Sequence, residues 1–238
     1  MSSRIAAIVV SAGEGIRMAV EADELPKQFF EVDDRPLFVN ALLPFEAHPM
    51  IDDITVVLPS ELVEGWEEQL LGVFGFHKVK RVVAGGEHRR DSVQLGMEAA
   101  SEGQPWPEDT LLAIHDGVRP MLTIRLLGAV IDAALESGAA VPVLKVKDTV
   151  AEVDDSGDWN ATTDRSKLRI VQTPQIIKAV WLQQAYQNLP REDTTDDAQL
   201  VHALGHPITL VDGDVMNIKV TDQMDLELVR CVSASMRL

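Results

Sequence analysis

The chain has 238 residues, 46% of them hydrophobic and 25% charged, which suits one large soluble domain with a substantial core. A formal net charge of -17 excludes a general nucleic-acid binder, which needs a basic face, so any polyanion site must be a local cluster among the 21 Lys and Arg residues. The opening MSSRIAAIVVSAGEG is too short in apolar residues for a secretory core or a membrane span, which predicts a cytoplasmic protein.

In chain order, β-rich runs are predicted at IAAIVV (5–10), ITVVLP (54–59), VKRVVA (79–84), TLLAIH (110–115) and AAVPVL (139–144). Helical spacing separates them: PLFVNALLPFEAH with its internal Pro44, SELVEGWEEQLLGVFG behind a Ser cap, RRDSVQLGMEAAS, and TIRLLGAVIDAALESG. Strands alternating with helices of this length predict an α/β fold, a mostly parallel sheet with helices on both faces. From 145 to 172 the helical period disappears and DDSGD marks a turn, which predicts a long β-hairpin arm protruding from a single domain of residues 1–238. A two-stranded arm is marginal alone, so it is expected to pack on a second subunit. The chain is predicted to finish as helix (KAVWLQQAYQNL, then TDDAQLVHALG), strand (PITLVDG), strand (NIKV) and a last helix, TDQMDLELVRCVSASM. The single Cys231 cannot form an internal disulfide and is expected as packing in the apolar stripe of that last helix.

In such sheets ligands sit beyond the carboxyl ends of the strands, and three loops of unusual composition fall there. SAGEGIRM (11–18) lacks the third glycine of a dinucleotide fingerprint and the GK[ST] of a P-loop, yet Gly13 and Gly15 let backbone N–H groups approach a phosphate, and Arg17 adds a fork for its oxygens. In LPKQF, Pro26 stiffens the loop that presents Lys27. GGEHRRDS (85–92) sets Gly85 and Gly86 before Arg89 and Ser92 at a helix start, suited to a base or a phosphate or simply to capping the helix. HDGVRP (115–120) puts Asp116 at a strand end, where a carboxylate either holds Mg2+ bridged to phosphate or caps a turn; Arg119 is expected to pin its loop. Lys219 in NIKVT needs an anionic partner unless it lies at an exposed edge. His202 and His206 are separated by Gly205, which argues against a metal pair, and the acids of TTDDAQ read as a helix N-terminus.

Taken in order, SAGEGIRM, PKQF, GGEHRRDSV, HDGVRP, KDT, DRSKL, QTPQ, TDDA and NIKVT resemble the 2-C-methyl-D-erythritol 4-phosphate cytidylyltransferase family of the non-mevalonate isoprenoid pathway, over nearly the whole chain. The resemblance implies a Rossmann-like nucleotidyltransferase fold, a homodimer through the β-arm, and transfer of CMP from CTP to a polyol phosphate. It implies that Ser11, Ala12, Gly13 and Gly15 line the CTP loop, that Arg17 and Lys27 stabilise triphosphate charge, and that Gly86, Glu87 and Ser92 contact the cytosine region with Arg89 and Gly117 nearby. It further implies that Asp116 organises Mg2+, and that Thr149 and Arg165 of the arm reach the acceptor bound to the partner subunit while Lys219 orients it. Two positions depart from the family pattern, Ser11 and Gly117, both commonly alanine in relatives; Met216 stands where some relatives carry an aspartate. The sister family acting on D-ribitol 5-phosphate shares LPKQF and VRP, whereas KVKDTV and DRSKL look more like the methylerythritol enzymes. A nucleotide-binding module without chemistry is the rival class, and a cation set around the triphosphate argues against it.

Overall fold

A computed structural model describes residues 3–13, 26–188 and 196–236. The chain enters the sheet at once with β1 (Ile5–Val10), turns through a short hairpin of β2 (Glu31–Val32) and β3 (Arg35–Pro36), and continues into α1 (Leu37–Ala47). Three strand–helix steps follow: β4 (Asp53–Leu58) and α2 (Trp66–Gly72), β5 (Val79–Ala84) and α3 (Arg89–Ser101), β6 (Leu111–Asp116) and α4 (Ile124–Ser137). Next come β7 (Ala139–Lys145), the hairpin β8 (Val150–Val153) with β9 (Trp159–Thr163), then β10 (Arg169–Val171) and β11 (Gln175–Lys178). The described chain ends with α5 (Ala179–Asn188), α6 (Asp197–Ala203), β12 (Thr209–Asp212) and α7 (Gln223–Met236).

Among the described residues the main sheet has eight strands in the order β10-β7-β11-β6-β1-β4-β5, with β12 also paired to β7. β1 is parallel to β4 and β6, β4 to β5 and β7 to β12, while β10 and β11 run antiparallel to their neighbours. The apolar runs follow from burial on two faces. Ile5, Ala7 and Val9 of β1 pack towards α1 and α4 with Phe38, Phe45 and Leu127, whereas Ala6 and Ile8 pack towards α3 and α5 with Val93 and Leu182. α7 closes a smaller cluster in which Leu226 and Val229 meet Val32 and Val220.

Several expectations change. NIKV is not a strand: Ile218 and Val220 are apolar anchors of an irregular loop whose backbone is satisfied from elsewhere, Val220 N–H donating to the Val118 carbonyl at 2.9 Å. The arm is shorter than 145–172, because Arg169–Val171 leaves it to pair with Val143–Lys145 in the main sheet, and only β8 and β9 form the separate hairpin. The stretch from Ser60 to Gly75 breaks into a single 3-10 turn and the short α2, with Gly65 at φ 83° between them. Cys231 is exposed on α7 rather than packed. The strand Gln175–Lys178 and the small hairpin at 31–36 carry too few residues to show a period in sequence.

Candidate active site

β1 and β6 are adjacent and parallel with Val10 opposite Asp116, so Ser11–Gly13 and Gly117–Pro120 leave the sheet side by side at its carboxyl edge. The third loop closes in through a glycine. A Cβ on Gly85 would lie 2.1 Å from the Ala12 Cβ and 2.7 Å from the Ser92 Oγ, so only glycine lets the 85–92 loop lie against the first. Ser92, buried at the start of α3, accepts from Gly86 N–H at 3.1 Å and donates to the His88 carbonyl at 3.1 Å. Its hydroxyl therefore shapes the loop. Glu87 stands exposed beside it. Gln28, one residue past Lys27, donates to the carbonyls of Ser11 at 2.8 Å and Gly13 at 2.9 Å, which ties the Lys27–Phe29 turn to the first loop. Gly15 and Arg17 lie outside the described residues.

The Asp116 carboxylate, 6% exposed, is the electrostatic centre. Its Oδ1 accepts from Arg89 Nε at 3.0 Å, its Oδ2 from Lys219 Nζ at 2.9 Å, and Arg119 Nε stands 3.7 Å from Oδ2. Burial would raise the Asp116 pKa, but Arg89, Lys219 and Arg119 outweigh it and hold the carboxyl far below the usual range. Arg89 reaches on, donating from Nη1 to Asp197 Oδ2 at 2.7 Å, and Tyr186 donates its hydroxyl to Asp197 Oδ1 at 2.7 Å. Burial pushes the Tyr186 phenol up, and Asp197 pushes it further. Among the described residues three cations face the two carboxylates of Asp116 and Asp197, so these five side chains carry a net positive charge inside an acidic protein.

His115, fully buried, supports the centre from beneath. Its Nε2 faces the Arg119 carbonyl at 3.3 Å, a contact that requires a donor, so Nδ1 accepts from the Thr173 hydroxyl at 2.9 Å. Thr173 Oγ1 in turn accepts from the Asp116 backbone N–H at 3.1 Å. Burial pulls the His115 pKa down to about 4. Arg119 pins its loop as expected, donating to the Asn217 carbonyl at 2.8 Å, and this places the neighbouring Lys219.

Beside the cluster opens a cavity of about 650 Å3, walled by Arg89, Asp116, Arg119 and Lys219 at one end and by Gln172, Thr173 and Gln175 beyond. Lys219 sits on a loop with its side chain 42% exposed, bridging cavity and carboxylate, rather than inside a strand. Thr149 and Arg165 are exposed at the base of the arm, Arg165 donating to the Lys147 carbonyl, and no hydrogen bond or ion pair among the described residues joins either to Asp116.

For a divalent cation the fit is that of a one-carboxylate site. Among the described residues no group of three or more His, Cys, Asp and Glu could hold a metal. Asp116 has one donor within hydrogen-bond distance on each oxygen and about four lone-pair positions, which leaves room for one metal bond if phosphate and water complete the shell, the usual habit of Mg2+.

Sequence reasoning missed Asp197, Tyr186, Thr173 and His115. For Asp197 a signal was present: Asp196 is the cap of α6, its side chain accepting from Gln199 N–H, and a second adjacent acid has no capping duty left.

The family described as 2-C-methyl-D-erythritol 4-phosphate cytidylyltransferase matches residues 5–234. Proteins of that name from Syntrophus aciditrophicus and Geobacillus thermodenitrificans are each 38% identical, the first over 96% of this chain and 95% of its own, the second over 96% of both. The solved structure of the Thermus thermophilus enzyme superposes with a TM-score of 0.74 at 30% identity, covering 98% of this chain and all of its own. The 4-diphosphocytidyl-2C-methyl-D-erythritol synthase of Anaerococcus prevotii gives 0.79 at 26% identity, covering 98% of this chain and 99% of its own.

Proposed function

The chain belongs to the 2-C-methyl-D-erythritol 4-phosphate cytidylyltransferase family, and from that premise we propose how its residues divide the work of moving CMP from CTP to 2-C-methyl-D-erythritol 4-phosphate. A phosphate oxygen of the acceptor attacks the α-phosphorus of CTP, a new P–O–P bond forms, and pyrophosphate leaves with the electrons of the broken bond. The nucleophile is already an anion, so no strong base is required. Two polyanions must instead be held in line and their charge compensated.

The observation that carries the reading is the Lys219–Asp116 pair at 2.9 Å at the mouth of the cavity. Lys219 orients the acceptor phosphate from there. Lys27 and Arg17 compensate the triphosphate, whose loop is Ser11, Ala12, Gly13 and Gly15, and the cytosine end lies along Gly86, Glu87, Arg89 and Ser92. Gly117 keeps the floor between the two loops thin. Asp116 would hold Mg2+, which would supply further neutralisation of phosphate charge.

Thr149 and Arg165 work across a homodimer. Val153 and Trp159 on the hairpin are 63% and 66% exposed in the single chain, a large apolar surface for strands that pair only with each other, and a second subunit covers it. The chain is thus one nucleotidyltransferase domain whose arm serves dimerisation, with small-molecule substrates and no nucleic-acid partner. Among the described residues no helix is long and apolar enough to cross a membrane. We place the reaction in the cytoplasm, where CTP is available.

Pyrophosphate release from CTP, measured side by side with methylerythritol phosphate and ribitol phosphate, tests the reading. Acceptor-dependent release with the first is expected. Preference for ribitol phosphate, or release with neither, overturns it.

A further inference from the structure

The cation that touches Asp116 Oδ1 is not free to choose its position. Arg89 points its Nε at Asp116 and its Nη1 at Asp197, 3.0 Å and 2.7 Å away, so two different edges of one rigid guanidinium are fixed at once. Asp197 is 2% exposed, and its second oxygen is held by the Tyr186 hydroxyl. Tyr186 is steadied by the Arg90 guanidinium, 5.2 Å above its ring. Next to it, Ala198 N–H donates to Gln175 Oε1 at 2.9 Å and Gln175 Nε2 donates to Asp196 at 2.7 Å, so the first turn of α6 is anchored to the β11 strand that flanks β6.

We propose that Asp197 is a positioning residue for nucleotidyl transfer: it holds Arg89 so that only Nε reaches Asp116, which leaves Asp116 Oδ2 for Lys219 and the carboxylate open to the metal. Without the Asp197 charge, Arg89 can turn its Nη edge onto Asp116 and form the two-pronged pair that guanidinium and carboxylate favour. Both oxygens would then be occupied, and Lys219 would lose the partner that aims it. Asp197 therefore acts through Arg89 and touches no substrate. The inference rests on the family's reaction being the one this chain performs.

Asp197→Asn, Arg89→Gln and the double variant test it, with kcat/KM, the Mg2+ concentration for half-maximal rate and, independently of turnover, the Mn2+ affinity of the CTP-bound protein by electron paramagnetic resonance measured for each, and wild-type turnover in the same assay checking the assigned reaction itself. Partners of metal ligands typically matter by about 10- to 100-fold, and Asp197→Asn is expected to lower kcat/KM and raise the Mg2+ requirement within that range. In the Arg89→Gln background the same change is expected to do less than about twofold, because the intermediary is gone. An undiminished effect of Asp197→Asn in that background, or full activity of Asp197→Asn alone, overturns the proposal. Should Asp197→Asn fail to fold because the buried guanidinium has lost one of its two carboxylate partners, Arg89→Gln compared with the double variant, in which neither member of the Arg89–Asp197 pair is charged, decides the question by the same criterion.

Discussion

Ser11 and Gly117 fit only as a pair. A Cβ on Gly117 would fall 1.8 Å from the Ser11 Oγ, inside any permissible contact, and 3.2 Å from the Phe38 Cβ. The Ser11 hydroxyl thus occupies the space that a methyl group would take in a relative with alanine at both positions. It is 3% exposed and has no hydrogen-bond partner among the described residues. Gly117→Ala is expected to cost about 1–3 kcal/mol from overpacking, whereas Ser11→Ala removes an unsatisfied hydroxyl and costs nothing or stabilises by about 1 kcal/mol. The double variant should recover most of the loss. Urea titrations of the four proteins check this, and additive single effects would show that the two side chains do not compete for one space.

Lys219 is expected to matter to rate far more than to folding. Its side chain is 42% exposed, so Lys219→Met leaves no buried void, and Asp116 keeps Arg89 as a partner. Turnover should fall on the order of a hundredfold to a thousandfold, the usual loss when one preorganised charge-stabilising group is removed. Lys27→Ala should likewise lower kcat more than it weakens CTP binding. Steady-state kinetics beside a CTP titration separates the two, and near-normal turnover in both variants would remove them from the charge-compensating set.

The surroundings of Asp116 predict the order in which the metal arrives. Arg89, Lys219 and Arg119 already crowd one carboxylate, so a bare divalent cation meets net positive charge, whereas the same cation on a triphosphate brings its own counter-charge. Mn2+ observed by electron paramagnetic resonance is expected to stay free in the presence of the protein alone and to become bound when CTP is added. Stoichiometric binding without nucleotide would contradict this electrostatic account.

What the sequence revealed, and what it hid, follows from how each element is buried. β1, β4 and β6 show as apolar runs because both of their faces are covered. NIKV looks the same, yet its two apolar residues serve a small cluster under α7 while Arg119 satisfies the Asn217 carbonyl, a tertiary contact between residues far apart in the chain. Asp116 and Lys219 were legible singly, since a carboxylate and an ammonium in apolar contexts each demand a partner. Asp197 was passed over because acids at a helix N-terminus have a local explanation, although that explanation is used up by Asp196, the cap of α6, and leaves the adjacent acid without a capping duty.

Arg165 and Thr149 provide a test of the arm. Both are exposed and unconnected to the Asp116 centre by any bond among the described residues of the same chain. If the arm completes the partner's site, mixing Arg165→Ala subunits with Lys219→Met subunits should form hybrid dimers in which one site has both residues intact. Recovery of activity towards a quarter of the wild-type level is expected from random exchange, roughly, since half the dimers are hybrids with one good site. Exchange demonstrated by mass, without recovery, would mean that each site is built from one chain.

His115 sets an acid limit on stability. Its folded pKa is about 4 against an ordinary value of 6.5, and burial is the main cause, opposed by Asp116. Between those two values the unfolded chain binds a proton that the folded chain refuses, so stability rises with pH across that window and is lost as pH falls through it. The loss amounts to about 3 kcal/mol, levelling off below pH 4. Asp116 adds a loss of the same sign only below the ordinary carboxyl range, because its cations depress its folded pKa. His48, also lowered by burial and by Lys78, contributes in the same direction as His115. Urea midpoints of wild type and His115→Gln between pH 7.5 and 4.5 isolate the effect. The variant starts less stable, having lost the bond to Thr173, but its midpoint should fall more gently with acid. Parallel slopes would mean that His115 takes up a proton in the folded chain as readily as in the unfolded one.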